Sequence, residues 1–238
     1  HRFLHSFPTR RSSDLTYIRR NGDLYEFLTD EEKDIEQEIK NTDVDSSVIH
    51  DMMARLVFER VIKSKKIRYD QNSQDYAYSQ KLDDRLVGRE YELAVNVISP
   101  LNDLVGNETT LRLQNTGKDE LMVIMPADDR LVRELLMVKK TEKYCNQTIS
   151  LTQQEAVRSI LTLKLQQNND KMRDLEDMVR SHLGRARMFV AGTSAENTSE
   201  DAQTRISKGF QELVARAYPY LSMLRGVTYL ETDIGKFL

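Results

Sequence analysis

The chain has 238 residues, and its 35 lysines and arginines nearly balance its 38 aspartates and glutamates, giving a formal net charge of −3. This balance excludes a protein whose overall charge drives nucleic-acid binding, although it leaves room for a local basic patch. No apolar run approaches the roughly 18 residues needed to cross a bilayer. The single cysteine excludes an internal disulfide, so we expect a soluble protein of the reducing cytoplasm.

The first residues of the chain do not resemble a natural protein segment. Ser6–Leu15 resembles a translated sequencing adapter over its whole length. The alternative is a real Arg- and Ser-rich arm, but a chance match over such a run is far less likely than read-through of an untrimmed library fragment. We therefore interpret residues 1–15 as non-native and exclude them from the fold prediction. We also expect the natural chain to extend beyond both ends, because no methionine opens the remaining sequence and no helix-stop signal closes it.

Residues 16–44 predict a β-hairpin followed by a helix. Two short β-prone runs flank Asn21–Asp23, where Asn-Gly favours a type I′ turn. Thr29 and Glu32 have the spacing of a capping box, which predicts a helix that runs to about Lys40. A charged hairpin beside a helix is also typical of the wing of a winged-helix domain, so this piece is a candidate winged-helix remnant.

Residues 45–126 predict a small α/β domain. Apolar residues share one side over Val48–Lys63, which indicates a helix. After it the apolar period shortens to about two, which predicts the short strands of a small mixed sheet ending at Pro126. These strands are expected at Ile67–Tyr69, Tyr76–Tyr78, Tyr91–Ile98, Leu111–Leu113 and Leu121–Met125.

Residues 127–184 predict a helical hairpin or stalk. Its second helix is expected over about Gln153–Leu183, where apolar spacings of three, four and seven give a coiled-coil-like seam. Polar residues at Gln166–Asn169 weaken the middle of that seam, so a bend is expected there.

Residues 185–238 predict a truncated C-terminal α/β piece. A strand is expected at Arg187–Ala191, a helix at about Ala202–Ala217 and a further strand at Val227–Leu230. The whole chain is therefore predicted to be α+β and predominantly helical, with a β-hairpin and a small mixed sheet followed by long coiled-coil-like helices.

The sequence lacks the residues that a P-loop and a structural zinc site require. A P-loop needs G-x-x-x-x-G-K-[ST], but neither Gly117-Lys118 nor Gly235-Lys236 has the first glycine or the final hydroxyl, so both are interpreted as turns. A structural zinc site needs four nitrogen or sulfur ligands, and outside residues 1–15 the chain offers only His50, His182 and Cys145. Both histidines are interpreted as helix-surface residues and Cys145 as a helix residue, and we predict no metal and no cofactor in this chain.

A nuclease site is also disfavoured. Asp83, Asp84, Glu90 and Glu92 lie near predicted strands, but no lysine follows at the spacing such sites use. A solvated acidic loop is the simpler interpretation, and we predict no catalytic residue in the chain.

A basic run between the second helix and the first strand of the mixed sheet is the one candidate binding site. Cations that cluster near tyrosines can contact a phosphate backbone, although a solvated loop explains the same pattern. A second pair, Arg185 and Arg187, follows the long helix. The candidate nucleic-acid contacts in the basic run are Lys63, Lys65, Lys66 and Arg68.

Several blocks of the sequence resemble the BrxC family of P-loop ATPases from BREX phage-defence systems. The resemblance covers nearly all of Thr16–Leu238, its first block is the most specific, and the blocks come in the expected order. The blocks are Tyr17–Glu32 with Ile39–Thr42, Lys66–Tyr69, Lys81–Arg85 and Arg185–Gly192.

The resemblance implies an interior fragment that lies downstream of the nucleotide-binding site. The implied role is a non-catalytic accessory or scaffold segment of a large ATPase in bacteriophage defence, whose ATP and Mg²⁺ bind upstream. Other BREX components are the implied partners, with DNA as a further candidate and no membrane association. No family catalytic residue maps onto this chain, and the alternative function is a nucleic-acid-binding module.

Overall fold

The computed structural model describes residues 18–21, 24–27, 29–195, 199 and 201–220. Within them the predicted α+β class with mainly helical content is confirmed. The strands are β1 (Ile18–Asn21), β2 (Leu24–Phe27), β3 (Lys66–Arg68), β4 (Asp75–Ala77), β5 (Ser79–Leu82), β6 (Arg85–Val87), β7 (Ala94–Ile98), β8 (Glu120–Ile124), β9 (Arg187–Val190) and β10 (Thr193–Ser194). The helices are α1 (Asp30–Asn41), α2 (Ser46–Arg55), α3 (Glu108–Asn115), α4 (Asp129–Ile149), α5 (Glu155–Gly184) and α6 (Ala202–Ala217).

Three local predictions are confirmed. The two strands of the hairpin, β1 and β2, pair antiparallel from Ile18 opposite Phe27 to Asn21 opposite Leu24. The capping box of α1 is complete, because Thr29 accepts from the Glu32 N–H and the Glu32 carboxylate accepts from the Thr29 N–H. The long helix predicted over about Gln153–Leu183 is present as α5, and the bend expected at Gln166–Asn169 stays a prediction. The predicted adapter and the predicted strand at 227–230 lie outside the described residues.

The second predicted helix changes its winding partway along. After α2 the chain continues as a π-helical segment, Leu56–Ile62, whose apolar side chains are buried. Lys63 ends the segment with a φ of 60°, and its N–H donates to the Phe58 carbonyl at 2.9 Å. Single turns of π-helix often occur where a helix must fit a particular site. Here the turn ends at the first lysine of the basic run.

The strand predicted at Leu111–Leu113 is wrong, because this segment is part of α3. Asn107 caps that helix by accepting a hydrogen bond from the Thr110 N–H at 3.2 Å. Leu111 is buried while Leu113 is 70% exposed, so alternation over three residues did not indicate a strand. Three residues are too few to distinguish the period of a strand from that of a helix.

The chain forms two compact units. Among the described residues, unit 1 comprises those up to Val44 together with Met137–Asp170, and unit 2 comprises Asp45–Leu136 together with those from Lys171 onward. The domain boundaries given above stay predictions. No helix in the described part of the chain is long and apolar enough to cross a membrane.

Unit 1 is built on a small apolar core. Ile35 and Ile39 of α1 are buried with Cys145 of α4 and Leu161 of α5. The carbonyls near the end of α1 are also held, because Lys140 donates to the Lys40 carbonyl at 2.6 Å. A cation at a helix C-terminus satisfies free carbonyls and favours the helix dipole.

The Cys145 thiol provides a test of how unit 1 packs. Its side chain is buried, and burial raises its pKa to about 11, so the reactive thiolate is scarce at neutral pH. We expect a thiol-specific reagent to label the native chain at least about a hundredfold more slowly than the unfolded chain at the same pH. Reaction rates followed by mass spectrometry test this, and equal rates would contradict the buried position.

Unit 2 contains a six-stranded sheet with the order β10-β9-β8-β7-β5-β6. The strands β5, β7 and β8 run parallel, and β6, β9 and β10 are antiparallel to their neighbours. The expectation that the sheet ends at Pro126 is wrong, because β9 follows α5 and pairs with β8. A separate antiparallel pair, β3 and β4, also belongs to this unit.

Both faces of the six-stranded sheet are covered. On one face α3 packs over β7, β8 and β9, with Leu111 of the helix against Met122 and Phe189 of the sheet. The other face is covered by α6, where Gly209 allows close approach, since a Cβ there would lie 2.8 Å from Leu121 Cδ1. Phe210 of the same helix packs on Tyr78, with ring centroids 5.4 Å apart.

The turn between β9 and β10 is held by α3. Ala191 and Gly192 both have positive φ, of 46° and 76°, as a two-residue hairpin turn requires. The Gly192 carbonyl accepts from the Arg112 guanidinium at 3.1 and 3.2 Å, and its N–H donates to Asn115 at 2.7 Å. This arrangement fixes the turn against the helix.

Replacing Gly192 by alanine should therefore lower the free energy of unfolding by more than backbone strain alone would. The new Cβ would lie 2.7 Å from Thr116 Oγ1, and the φ is already unfavourable for an L-residue. We expect a loss of about 2–3 kcal/mol in the free energy of unfolding. Gly88→Ala is the matched control, because its φ is 85° with nothing within 4 Å, and about 1 kcal/mol is expected. Equal losses in urea denaturation would contradict the contact.

Candidate functional site

The basic run lies in the loop that joins the π-helical segment to β3. Lys63 and Lys65 are in the loop, while Lys66 and Arg68 are the first and last residues of β3. All four side chains are exposed. Within the described part of the chain none of the four forms an ion pair with a carboxylate, so their charge is available to a partner.

We name Lys63–Lys66 the lysine loop; its backbone is held by hydrogen bonds from side chains of other elements. The buried Tyr78 donates its hydroxyl to the Ser64 carbonyl. Gln203 of α6 donates to the Ile62 carbonyl at 2.8 Å. The loop therefore has a defined path while its cationic side chains face solvent.

A second glutamine of α6 holds the strand that follows the lysine loop. Gln211 donates to the Arg68 carbonyl at 2.7 Å and accepts from the Asp70 N–H at 3.0 Å. Sequence reasoning missed both glutamines and the role of α6. The only available signal was that Gln203 and Gln211 are eight residues apart, and so lie on adjoining parts of one helix face.

Two of the three tyrosines near the basic run face the interior, and the third is half-buried. Tyr69 and Tyr78 are buried, and Tyr76 packs between Tyr69 and Tyr218 with ring centroids about 6 Å apart in each pair. Burial raises the pKa of Tyr78 to about 12, which keeps its hydroxyl protonated as the donor to Ser64. The rings therefore support the β3–β4 pair, and neither Tyr69 nor Tyr78 lines a binding surface.

The second basic pair is placed differently. Arg187 is the first residue of β9 and forms an ion pair with Glu108 of α3. Arg185 is exposed beside it, and both line a cavity of about 310 Å³ at the carboxyl end of β8. Because one arginine is already paired, this pair offers less free charge than the lysine loop.

Two of the four acidic residues considered for a nuclease, Asp83 and Asp84, serve as hydrogen-bond acceptors within the fold. Asp83 accepts from the Ser99 N–H and hydroxyl, each at 2.7 Å. Burial raises the pKa of Asp83, although these hydrogen bonds and nearby His50 act in the opposite direction. Asp84 accepts from Asn96 at 2.8 Å. Among the described residues no group of three acidic, histidine or cysteine side chains is placed to hold a metal ion.

A polar network surrounds a buried carboxylate on β8. Glu120 lies 3.2 Å from the Lys81 ammonium and 3.5 Å from that of Lys118, and its side chain is 2% exposed. Gly117, with a φ of 78°, forms the turn that positions Lys118. The interpretation of Gly117-Lys118 as a turn is confirmed, but Lys118 is paired. Gly235-Lys236 lies outside the described residues.

Both histidines contribute to packing in unit 2. His50 lies 3.1 Å from the Leu82 carbonyl through Nε2. His182 is buried, with Nδ1 2.7 Å from the Met178 carbonyl and Nε2 3.0 Å from Asp128. The interpretation of His182 as a surface residue is therefore wrong. It links the end of α5 to the cap of α4, since Asp128 accepts from the Arg130 N–H.

Comparison with known families identifies a match over most of the chain. The family model described as "BREX ATP-binding protein BrxC 4th domain with six-stranded beta sheet" matches residues 42–213. The matched range contains the six-stranded sheet and the basic run. No solved structure matches the chain.

Proposed function

We propose that this chain, which belongs to the family of the fourth domain of the BREX ATP-binding protein BrxC, is a non-catalytic accessory or scaffold segment of that protein. Its family connects it to BREX phage defence. The proposal rests on one observation: side chains that could take part in catalysis instead make structural contacts. In the described part of unit 2, Asp83, Glu120 and His182 each hold structural partners.

The rest of the proposal concerns the parent protein. We expect ATP and Mg²⁺ to bind the parent outside this segment, because neither Gly-Lys pair of the sequence has the P-loop pattern. The expected partners are other BREX components. A rigid, two-sided sheet is well suited to holding such a partner, since its core resists deformation.

The test compares the full-length parent protein with a version that lacks the segment matched by residues 42–213. We expect the deletion to leave ATP binding within about twofold, while co-purification of at least one other BREX component is lost. Isothermal titration with a non-hydrolysable ATP analogue and affinity purification from cells carrying the whole system measure the two properties. Loss of ATP binding with retained partners would contradict the proposal.

A second candidate function is nucleic-acid binding, which the exposed cations of the basic run favour. Lys63, Lys65, Lys66 and Arg68 carry charge that no described carboxylate neutralises by an ion pair, and free cations are what a phosphate backbone requires. Binding to DNA should weaken steeply as salt is added. Absence of detectable binding at about 50 mM salt would contradict this candidate.

A further inference from the structure

We propose that the lysine loop and Lys208 of α6 form one surface that binds the phosphates of a nucleic-acid duplex without stacking on its bases. The proposal rests on the second candidate function above and deepens it, since it names the form of nucleic acid and adds a residue. Lys208 is exposed, and it forms no ion pair within the described part of the chain. It lies between Gln203 and Gln211 along the helix.

The placement of Lys208 follows from the contacts of its helix. Gln203 and Gln211 bond to the backbone on either side of the lysine loop, at Ile62 and Arg68. One turn of α-helix separates residues 3.6 positions apart, so Lys208 lies within about one and a half turns of both glutamines. Its side chain therefore extends from the stretch of helix that borders the loop.

The charges of this surface are arranged unevenly. Arg68 is directly opposite Asp75 in the β3–β4 pair, so its charge has an acidic neighbour on the same face. Lys66 is opposite the uncharged Ala77. The free positive charge is thus concentrated at the end of the hairpin nearest the π-helical segment, which is where the lysine loop lies.

The lysines elsewhere in unit 2 show that this arrangement is not general. Lys81 and Lys118 pair with Glu120, and Lys171 lies 3.9 Å from Glu134. Those ion pairs lower the charge available to a partner. The lysine loop keeps its charge, and its backbone is held in place, so little conformational entropy is lost when it meets a row of phosphates.

The buried aromatics decide which form of nucleic acid fits. Proteins that favour single strands offer exposed aromatic rings on which bases stack. Beside the lysine loop Tyr69 and Tyr78 are buried, and Tyr76 is half-buried between Tyr69 and Tyr218. Lysine contacts to phosphates position a duplex without reading its sequence. The surface should therefore bind duplexes of any sequence and should not prefer a single strand.

The experiment is fluorescence anisotropy of the full chain with a labelled random-sequence duplex and with one of its strands. The variants are Lys65→Glu with Lys66→Glu, and Lys208→Glu alone. Arg130→Glu with Arg133→Glu is the control, because both arginines are exposed on α4 and the change in net charge equals that of the double loop variant. Circular dichroism confirms that each variant is folded.

We expect the loop variant to weaken duplex binding by about tenfold or more, and to reduce the slope of log K against log salt by about 2. Lys208→Glu should reduce that slope by about 1. The control should change binding by less than about twofold. An equal loss in the control, an unchanged Lys208 variant, or tighter binding of the single strand would overturn the proposal while leaving the second candidate function standing. No binding of either nucleic acid at about 50 mM salt would overturn both.

Discussion

Replacing Phe210 by alanine is expected to lower the free energy of unfolding of unit 2 by about 3–5 kcal/mol. The ring is fully buried and packs on Tyr78, between α6 and the sheet. Alanine removes that packing and leaves a cavity that the neighbouring backbone cannot fill. Urea denaturation followed by circular dichroism measures the change.

Two controls separate this effect from a general sensitivity of the chain. Phe210→Leu keeps much of the volume and should cost about 1 kcal/mol. Leu113→Ala removes a side chain that is 70% exposed and should cost less than about 0.5 kcal/mol. Losses of similar size in all three variants would contradict the place of Phe210 in the core of unit 2.

Removing both lysines beside Glu120 should cost far more than the two single substitutions together. In Lys81→Met the carboxylate keeps Lys118 as its partner, and in Lys118→Met it keeps Lys81, so each should cost about 1 kcal/mol. The double variant leaves a carboxylate that is 2% exposed without a cation, and we expect a loss of about 3–5 kcal/mol. A double-mutant cycle in urea measures the difference.

A third substitution tests the cause of that loss. Glu120→Leu added to the double variant removes the unpaired charge, so most of the lost stability should return. If the double variant costs no more than the sum of its parts, the carboxylate does not depend on these lysines. If leucine restores nothing, the loss comes from packing and not from charge.

A helix or strand of this fold could be predicted where a single pattern in the sequence was enough to determine it. The capping box of Thr29 and Glu32 fixed the start of α1, and a long apolar seam fixed α5. The strand β5 escaped notice because Ser79-Gln80-Lys81 is polar throughout, and Lys81 bonds to Glu120. The turn that joins β5 to β6 has positive φ at Asp83 and Asp84. Aspartate can adopt this conformation, so no glycine marks the turn in the sequence.

The order of strands in the sheet could not be predicted in the same way. The strand β9 was expected, yet its pairing with β8 joins segments that are separated by two long helices. Nothing in the periodicity of either strand identifies such a partner, because period two sets only the face that a residue occupies. The side on which each strand is added depends on the packing of α3 and α6.

At the candidate site, too, the features set by neighbouring residues could be predicted, and the contacts between distant segments could not. The exposed cations of the basic run were evident in the sequence, since charge clusters tend to stay in solvent. Their support was not evident, because Tyr78, Gln203 and Gln211 reach the loop from other elements. Two of the tyrosines near the basic run, Tyr69 and Tyr78, are buried and so do not add to its exposed surface.

The most direct test of the proposed accessory role is a count of phage plaques on cells carrying a complete BREX system. The ATP-binding protein in that system would carry Phe210→Ala, at a protein level matched to the unaltered form. The account predicts that plaque numbers rise to the level seen without the system, because the segment no longer holds its structure. Full protection by the Phe210→Ala protein, with Leu113→Ala behaving identically, would contradict a structural role of this segment in defence.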